Sequence, residues 1–398
     1  MNKTHPISTY AWPGDFEASI RDAWSIRPGT IYLNHGSWGP PPSVVKEARA
    51  NWLARLDEQP MDLFLREYEE SWFKARASLA AFVGADSDGL ILVPNATAGM
   101  NLVADSVKLS DGDEILLNNH EYGAVMRIWD RKAKESGAEV RTVPLSTPLN
   151  DPAELVEFFK KSFSPKTRIL VLSHITSPTA ITLPIKEIAA VAKAQGILVC
   201  VDGPHAVAQL PLDLQTLGAD FYTASCHKWL CAPLGSGFLY VAEPYRKQIR
   251  PAYLSWGRLR PNSPKEWYEE FVWLGTADYA AYLAIPTAIE FMESVGLERF
   301  RTQTHQMARY VRRRLEALDG GEPLVSDSPQ WYGNMAHVPI PFSGDAAALQ
   351  RKLWDKYQIE VPIWNFGERV FARVSCHLYT TREQVDYFLD SLKSELAS

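Results

Sequence analysis

The chain has 398 residues, of which 46% are apolar and 22% charged, a balance typical of globular proteins and not of disordered ones. Its formal net charge of −6 argues against proteins that bind nucleic acids or membrane surfaces, because these need a basic face. No apolar run approaches the ~18 residues of a membrane span, and the N-terminus has no apolar core resembling a signal peptide. This length favours one large and one smaller domain.

The four cysteines are Cys200, Cys226, Cys231 and Cys376. They do not resemble a disulfide framework, and their spacing is not that of metal ligands. We therefore expect no metal site and a reducing cytoplasmic location.

In chain order, short apolar runs alternate with segments of helical periodicity. Strands are predicted at Leu90–Val93, Glu114–Leu117, Arg168–Ser173, Ile197–Val201 and Gly237–Val241, and helices at residues 98–107, 123–136, 152–162 and 184–195. This alternation predicts a mostly parallel sheet covered by helices on both faces. Loops at the carboxyl ends of such strands usually carry the ligand site.

The pattern changes after about residue 280. A long helical stretch at 280–318 is followed by a strand around 369–375 and a closing helix at 381–396. We predict a large domain at 30–279 and a smaller α+β domain at 280–398, with residues 1–29 packed on the smaller one.

The first feature that suggests a ligand is the strand Leu90–Val93, which runs through a turn of small residues into a helix. Such a junction points free backbone N–H groups and a positive dipole end at an anion, and the Thr97 hydroxyl adds a donor. Junctions of this kind are common, so this one alone indicates little.

The second feature is Asp202, at the end of an apolar strand. A carboxylate there is poorly solvated and needs a cationic or hydrogen-bonding partner. Alone, it would more often cap the following turn.

Lys228 suggests a chemical role for Asp202. A further predicted strand begins near Ala219 and runs into Ser225-Cys-His-Lys-Trp-Leu230, which contains Lys228. Burial lowers the pKa of a lysine and makes its amine a nucleophile towards an aldehyde. Pyridoxal 5′-phosphate (PLP) requires such an amine, and its pyridine nitrogen requires a carboxylate. The pair therefore predicts PLP as the cofactor.

These segments also match a known family. The matching stretches are 32–39, 59–66, 95–98, 120–122, 202–205, 225–230, 275–278 and 373–381. On them the chain resembles the class V group of fold-type-I PLP enzymes, which contains aminotransferases and cysteine desulfurases, and within it is most similar to the isopenicillin N epimerases. The resemblance implies an α/β fold with a mostly parallel seven-stranded sheet in the large domain, a smaller α+β C-terminal domain, and a homodimer.

The resemblance implies four roles around the cofactor ring. Lys228 would be the Schiff-base lysine, and Asp202 would bind the pyridine nitrogen. His205 would lie near the phenolic oxygen, and Tyr122 would stack on the ring. Structural alternatives are a satisfied buried histidine for His205 and core packing for Tyr122.

The resemblance also implies which residues contact the phosphate and the substrate. The phosphate would be held by Thr97, Ala98, Ser225 and His227. Thr276 would reach the phosphate of the neighbouring subunit, unless it caps a helix. Arg373 would bind the substrate α-carboxylate through its planar fork, with a surface ion pair as the alternative. His35 could face the substrate or shape a turn. Ser177 replaces the asparagine of many relatives, which leaves its hydrogen bond to the cofactor open.

The expected activity is a reaction at the α-carbon of a small amino-acid-type substrate. Return of the proton to the opposite face would make the enzyme an epimerase or racemase, which we favour. C–S β-lyase and aminotransferase activities remain alternatives. A desulfurase needs a nucleophilic cysteine on the second lobe, and residues 300–370 contain none. A catalytically silent PLP-binding protein is a remote alternative, against which Lys228 and Arg373 both argue.

Overall fold

The computed structural model describes residues 11–255 and 264–397. Its helices are α1 (Ala18–Arg21), α2 (Ser43–Glu58), α3 (Pro60–Asp62), α4 (Tyr68–Phe82), α5 (Ala96–Ser106), α6 (Gly123–Ser136), α7 (Pro152–Ser162), α8 (Ile185–Lys193), α9 (Leu214–Leu217), α10 (Ala280–Leu283), α11 (Ile285–Val295), α12 (Leu297–Glu316), α13 (Ala346–Tyr357) and α14 (Arg382–Leu396). Its strands are β1 (Ile31–Tyr32), β2 (Leu90–Val93), β3 (Glu114–Asn118), β4 (Glu139–Val143), β5 (Thr167–Ser173), β6 (Leu198–Asp202), β7 (Phe221–Ser225), β8 (Gly237–Val241), β9 (Met335–Pro339), β10 (Ile359–Glu360), β11 (Ile363–Phe366) and β12 (Arg369–Ser375).

The central sheet has seven strands in the order β2-β8-β7-β6-β5-β3-β4. Strand β8 is antiparallel to both its neighbours, β2 and β7, and the other adjacent pairs are parallel. The prediction of a mostly parallel seven-stranded sheet in an α/β fold is therefore confirmed.

Helices cover both faces of this sheet because its inner strands are apolar on both sides. In β5, Ile169 and Val171 join the core formed with α5 and α6. The alternate residues Leu170 and Leu172 join the core formed with α7 and α8. This arrangement is what a period of two predicts for a strand buried on both faces.

A second, antiparallel sheet has the order β11-β12-β9, and α12 packs on it. The helical stretch predicted at 280–318 is divided into α10, α11 and α12. Gly296, between α11 and α12, has a φ of +87°, which interrupts a right-handed helix.

The N-terminal region contacts the C-terminal part of the chain. Strand β1 pairs in parallel with β10, and Glu17 forms an ion pair of 2.6 Å with Arg299 of α12. The first ten residues, which were expected to pack there too, lie outside the described residues. None of the helices that the structure describes is long and apolar enough to cross a membrane.

The sheet topology positions the site. Strands β2, β3, β5, β6 and β7 run in the same direction, so their carboxyl ends meet at one edge. The segments that follow these strands carry most of the side chains for which the sequence predicts a function.

Candidate active site

A cavity of about 440 Å³ lies at the carboxyl edge of the central sheet. It brings together most of the predicted site residues, which are Thr97, Tyr122, Ser177, Asp202, His205, Ser225, His227, Lys228 and Arg373. Ala98, Thr276 and His35 do not line it. Residues far apart in the chain thus meet at the place that the strand topology dictates.

Lys228 follows β7 and lines this cavity. Its side chain is partly open to the cavity, but its amine lies deep in the protein, and this burial lowers its pKa, with a further lowering from Arg373. A lysine with a lowered pKa carries a neutral, nucleophilic amine over a wider pH range.

Asp202 ends β6 and is 5% exposed. Burial raises the pKa of its carboxyl group, and the Lys228 charge opposes that rise. Among the described residues no side chain or backbone N–H donates a hydrogen bond to this carboxylate. A buried carboxylate without a donor is costly, and the protonated ring nitrogen of PLP would supply one.

His205 lies between two neighbours. Its Nε2 is 3.0 Å from the Lys228 amine, and its Nδ1 is 3.3 Å from the indole nitrogen of Trp229. Burial lowers the pKa of His205 well below its usual range, as do the charges of Lys228 and Arg373. The imidazole is therefore neutral at physiological pH.

The N-terminus of α5 forms a place for the phosphate. The backbone N–H of Ala96 donates to Ser225 Oγ at 3.0 Å, and that of Ala98 donates to Asn95 Oδ1 at 2.9 Å. Thr97 lies between them and lines the cavity. The buried Nδ1 of His227 has no hydrogen-bond partner in the structure. Ser225 and Asn95 thus fix the first turn, while Thr97, His227 and the positive end of the helix suit an anion at this N-terminus.

Arg373 comes from β12 of the second sheet and is 2% exposed. Its guanidinium donates to the carbonyl of Ser177 and to Ser37 Oγ at 3.0 Å, and it lies over the Trp364 ring at 4.6 Å. Its buried Nε has no partner, and no carboxylate among the described residues pairs with it. A buried guanidinium without a counter-charge suits a substrate carboxylate.

Two further predicted residues line the cavity with less burial. Tyr122 precedes α6 and is 48% exposed, so its ring is free to stack on a bound cofactor. Ser177 contributes its carbonyl to Arg373, while its side chain remains available.

His35 lies behind the site. It is fully buried, and its Nε2 donates to the backbone carbonyl of Lys228 at 3.1 Å. Its Nδ1 then accepts from the Tyr379 hydroxyl at 2.8 Å. This network favours a structural role, in which His35 positions the backbone of the lysine, over substrate contact.

The fold also brings together Cys231, His35 and His377, a potential metal-binding group that the cysteine spacing alone did not predict. The two imidazoles are stacked, with centroids 3.7 Å apart and an interplanar angle of 13°. Nitrogen lone pairs lie in the ring planes, so nearly parallel rings at this separation cannot both direct them at one ion ~2.0–2.1 Å away. The geometry favours a packing role for this group.

Sequence reasoning gave no role to three residues that shape the site. Ser37 and Trp364 contact Arg373, and Glu121 is buried beside β5, where it accepts from Ser173 Oγ at 2.6 Å. Glu121 lies next to Tyr122 in the chain, and Ser37 lies in the matching stretch 32–39. Both positions were therefore visible in the sequence without an indication of their contacts.

Together these groups fit PLP. The site offers an amine for its aldehyde, an unpartnered carboxylate for its ring nitrogen, and donors at a helix N-terminus for its phosphate.

Comparisons with known proteins identify the family of the chain. A family model described as aminotransferase class-V matches residues 58–388. Isopenicillin N epimerase of Streptomyces clavuligerus is 36% identical over 92% of this chain and 95% of that protein. A putative L-cysteine desulfhydrase of Oryza sativa subsp. japonica is 27% identical over 93% of this chain and 84% of that protein. A solved cystine C-S lyase in complex with cysteine persulfide has a TM-score of 0.81 at 25% identity, covering 92% of this chain and 97% of its own. The chain therefore belongs to the class V aminotransferase family and is an enzyme that uses PLP.

Proposed function

We propose that the chain is an amino-acid epimerase or racemase that acts at the α-carbon of an amino acid or an amino-acid-containing substrate. The observation that carries this proposal is one cavity that holds both the amine of Lys228 and the buried guanidinium of Arg373. The first provides a base for a proton at the α-carbon, and the second provides a site for the α-carboxylate.

Each residue has a defined task in this proposal. Arg373 binds the two carboxylate oxygens and so orients the α-hydrogen towards Lys228. The Lys228 amine takes up that proton at Nζ, and a proton that exchanges with water returns to the opposite face of the α-carbon. Asp202 would keep a proton at the pyridine nitrogen of PLP, and His205 would donate to its phenolic oxygen. When bound, PLP supplies a ring that accepts electrons and thereby acidifies the α-hydrogen.

Two observations support epimerisation among the reactions open to this family. Isopenicillin N epimerases from two organisms are each 36% identical to the chain over more than nine-tenths of its length. All four cysteines are buried, and burial raises the pKa of their thiols. A desulfurase requires an accessible cysteine with a low pKa, so this reaction is disfavoured.

A second candidate is a C–S β-lyase, with an aminotransferase as a further variant. The relatives described as L-cysteine desulfhydrases favour it, as does the similarity to a cystine C-S lyase. This activity needs no nucleophilic cysteine, and the same Lys228 and Arg373 would serve it.

The test is incubation with a panel of amino acids, including cysteine and cystine, in D2O. Epimerisation predicts deuterium at the α-carbon together with loss of chirality and no keto acid. A keto acid with an aminated cofactor would indicate transamination, and a keto acid with released sulfide would indicate the lyase. Either result without α-racemisation would overturn the primary proposal.

We further propose a cytoplasmic homodimer with domains at 30–279 and 280–398. The four free thiols suit a reducing compartment. The exposed position of Thr276 suits a contact with a neighbouring subunit.

A further inference from the structure

Trp229 directly follows the active-site lysine in sequence, and it is fully buried. Its indole nitrogen donates to Nδ1 of His205 at 3.3 Å. An indole N–H is a donor only, so Nδ1 of His205 must be the acceptor in this contact. That single contact determines where the proton of the imidazole can lie.

Of the three forms of an imidazole, two have a proton on Nδ1 and would place it against the indole N–H. Only the neutral form with its proton on Nε2 leaves Nδ1 free to accept. In that form Nε2 is a donor, and the atom 3.0 Å away is the amine of Lys228. A protonated ammonium has three donors and no acceptor, whereas a neutral amine has a lone pair that accepts this proton.

We propose that Trp229 is a positioning residue that fixes the Nε2–H form of His205 and thereby favours the neutral amine of Lys228. The proposal concerns the cofactor-free chain, in which the Lys228 amine is free, so it does not depend on which reaction the site performs. The same Nε2–H group lines the cavity, and it would be free to donate to the phenolic oxygen of a bound cofactor once Lys228 no longer presents a free amine.

Charged groups around Lys228 also influence whether its amine is neutral, and the effect of Trp229 comes in addition to theirs. Asp202 favours the charged form of Lys228, while Arg373 disfavours it, and His227 also lies within electrostatic reach of the lysine. A neutral His205 in the opposite form would present a lone pair to the ammonium and stabilise it. Loss of the indole donor therefore shifts Lys228 towards its charged form.

The first test is the tautomer of His205 in the wild-type, cofactor-free chain. Histidine labelled with ¹⁵N distinguishes a protonated Nε2 from a protonated Nδ1, and the His205 signals are those missing in His205→Gln among the nine histidines. We expect a protonated Nε2 and an unprotonated Nδ1. A protonated Nδ1 at neutral pH would overturn the proposal without the need for any variant at position 229.

The second test is Trp229→Phe, which keeps an aromatic ring and removes the donor. We expect a mixture of His205 tautomers, and a rise of about one unit in the pKa of Lys228, the order expected for one hydrogen bond. That pKa is followed by the pH dependence of amine labelling at Lys228, quantified by peptide mapping, and the rise corresponds to about tenfold less labelling below the midpoint.

The matched control is Trp72→Phe. Trp72 is also fully buried, and its indole nitrogen has no hydrogen-bond partner in the structure. Trp72→Phe removes the same atoms from the core without touching His205. The His205 tautomer and the pH profile of Lys228 labelling should therefore stay at their wild-type values. Wild-type tautomer and labelling profile in Trp229→Phe, or equal shifts in both variants, would overturn the proposed role of Trp229.

Discussion

At the scale of single residues, the function of Arg373 can be separated from cofactor binding. Arg373→Ala leaves a substrate carboxylate unpaired in a buried pocket, at a cost of roughly 2–5 kcal/mol for one partner of a buried charge pair. We expect kcat/KM for amino acids to fall by the corresponding factor. The cofactor itself should stay bound, seen as retained visible absorbance without substrate, because Arg373 does not belong to the phosphate site at the N-terminus of α5. Arg373→Lys should recover only part of the loss, since a point charge lacks the bidentate fork.

Arg369 provides the control for this prediction. It begins the same strand, β12, and donates to the carbonyl of Glu322, outside the cavity. Arg369→Ala should leave kcat/KM near the wild-type value. If Arg373→Ala lost the cofactor but kept substrate affinity, Arg373 would have a structural role and the assignment as carboxylate site would fail.

Glu121 makes stability depend on pH. Burial raises the pKa of this carboxyl group to about 8, although hydrogen bonds from Ser173 and Asn118 oppose the shift. Between about pH 4.3, where an unfolded glutamate ionises, and pH 8, the folded state therefore keeps a proton that the unfolded state has released. Stability falls as pH rises through this window, by up to about 1.4 kcal/mol per pH unit.

Glu121→Gln tests whether Glu121 lowers stability as the pH rises. Glutamine mimics the protonated side chain, since its oxygen accepts from Ser173 and Asn118 and its amide donates to Ser173 Oγ. We expect the difference in melting temperature between variant and wild type to grow in favour of the variant from pH 5 to pH 8. Glu139→Gln, at an exposed position of β4, controls for loss of a charge. A difference that stays constant with pH would mean that Glu121 is ionised in the folded protein.

The residues of the site were predicted unevenly, for a physical reason. Lys228 and Asp202 could be found because each lies at or just beyond the carboxyl end of an apolar strand, and parallel strands end at one edge. The contacts of Glu121 and Cys231 depend on which way loops turn after the strands, and no local pattern encodes that direction. The placement of His35 behind the lysine likewise depends on a segment that packs from elsewhere in the chain.

At the scale of elements, the predicted strands agree with the structure within one residue at most ends. Strand β4 was missed because it lies at the sheet edge, where only Val143 of its five residues is buried. An edge strand exposed in this way lacks the apolar run that identified the others. The helical stretch at 280–318 was predicted as continuous because the interruption at Gly296 leaves the apolar periodicity on both sides intact.

The N-terminus of α5 allows a prediction that separates helix capping from cofactor binding. Asn95 Oδ1 accepts from the N–H of Ala98, so Asn95→Ala should cost about 1 kcal/mol of stability. We also expect weaker PLP binding, measured by equilibrium dialysis of the holoenzyme, because a first turn without this cap no longer fixes the Thr97 hydroxyl and the positive helix end towards the phosphate.

Asp345→Ala is the matched variant. Asp345 caps α13 in the same way, through the N–H of Ala347, at a helix that does not line the cavity. It should lower the melting temperature by a similar amount and leave PLP affinity unchanged. Equal losses of PLP affinity in both variants would show that the effect of Asn95→Ala is only a general loss of stability.

At the scale of the whole molecule, the cavity needs both sheets. The central sheet supplies Asp202 and Lys228, whereas Arg373 reaches in from β12 and binds the Ser177 carbonyl that follows β5. A relative movement of the two sheets would change the distance between Lys228, the proposed base, and Arg373, the proposed carboxylate site. Substrate orientation therefore depends on how the two sheets pack together. The sequence patterns predict two separate lobes but not this packing.

We predict that Thr276 extends this dependence to a second copy of the chain. It is exposed on a segment before α10 that is anchored by the ion pair between Asp278 and Arg49, at 3.4 Å. If it reaches the phosphate in a neighbouring subunit, symmetry requires a two-fold dimer with two shared sites. Sedimentation should then show a dimer for the active enzyme. Thr276→Ala should lower PLP affinity about tenfold, the order expected for one charge-assisted hydrogen bond.

Mixed dimers test directly whether residues of both subunits form each PLP site. In a dimer of one Lys228→Ala chain and one Thr276→Ala chain, one site combines the intact Lys228 of one subunit with the intact Thr276 of the other. Refolding the two variants together should therefore restore wild-type PLP affinity in one of the two sites, while neither variant alone reaches it. Thr302→Ala, at an exposed position of α12, should behave as wild type throughout. A fully active monomer, or the absence of any restored site in the mixture, would mean that Thr276 does not act across a subunit boundary.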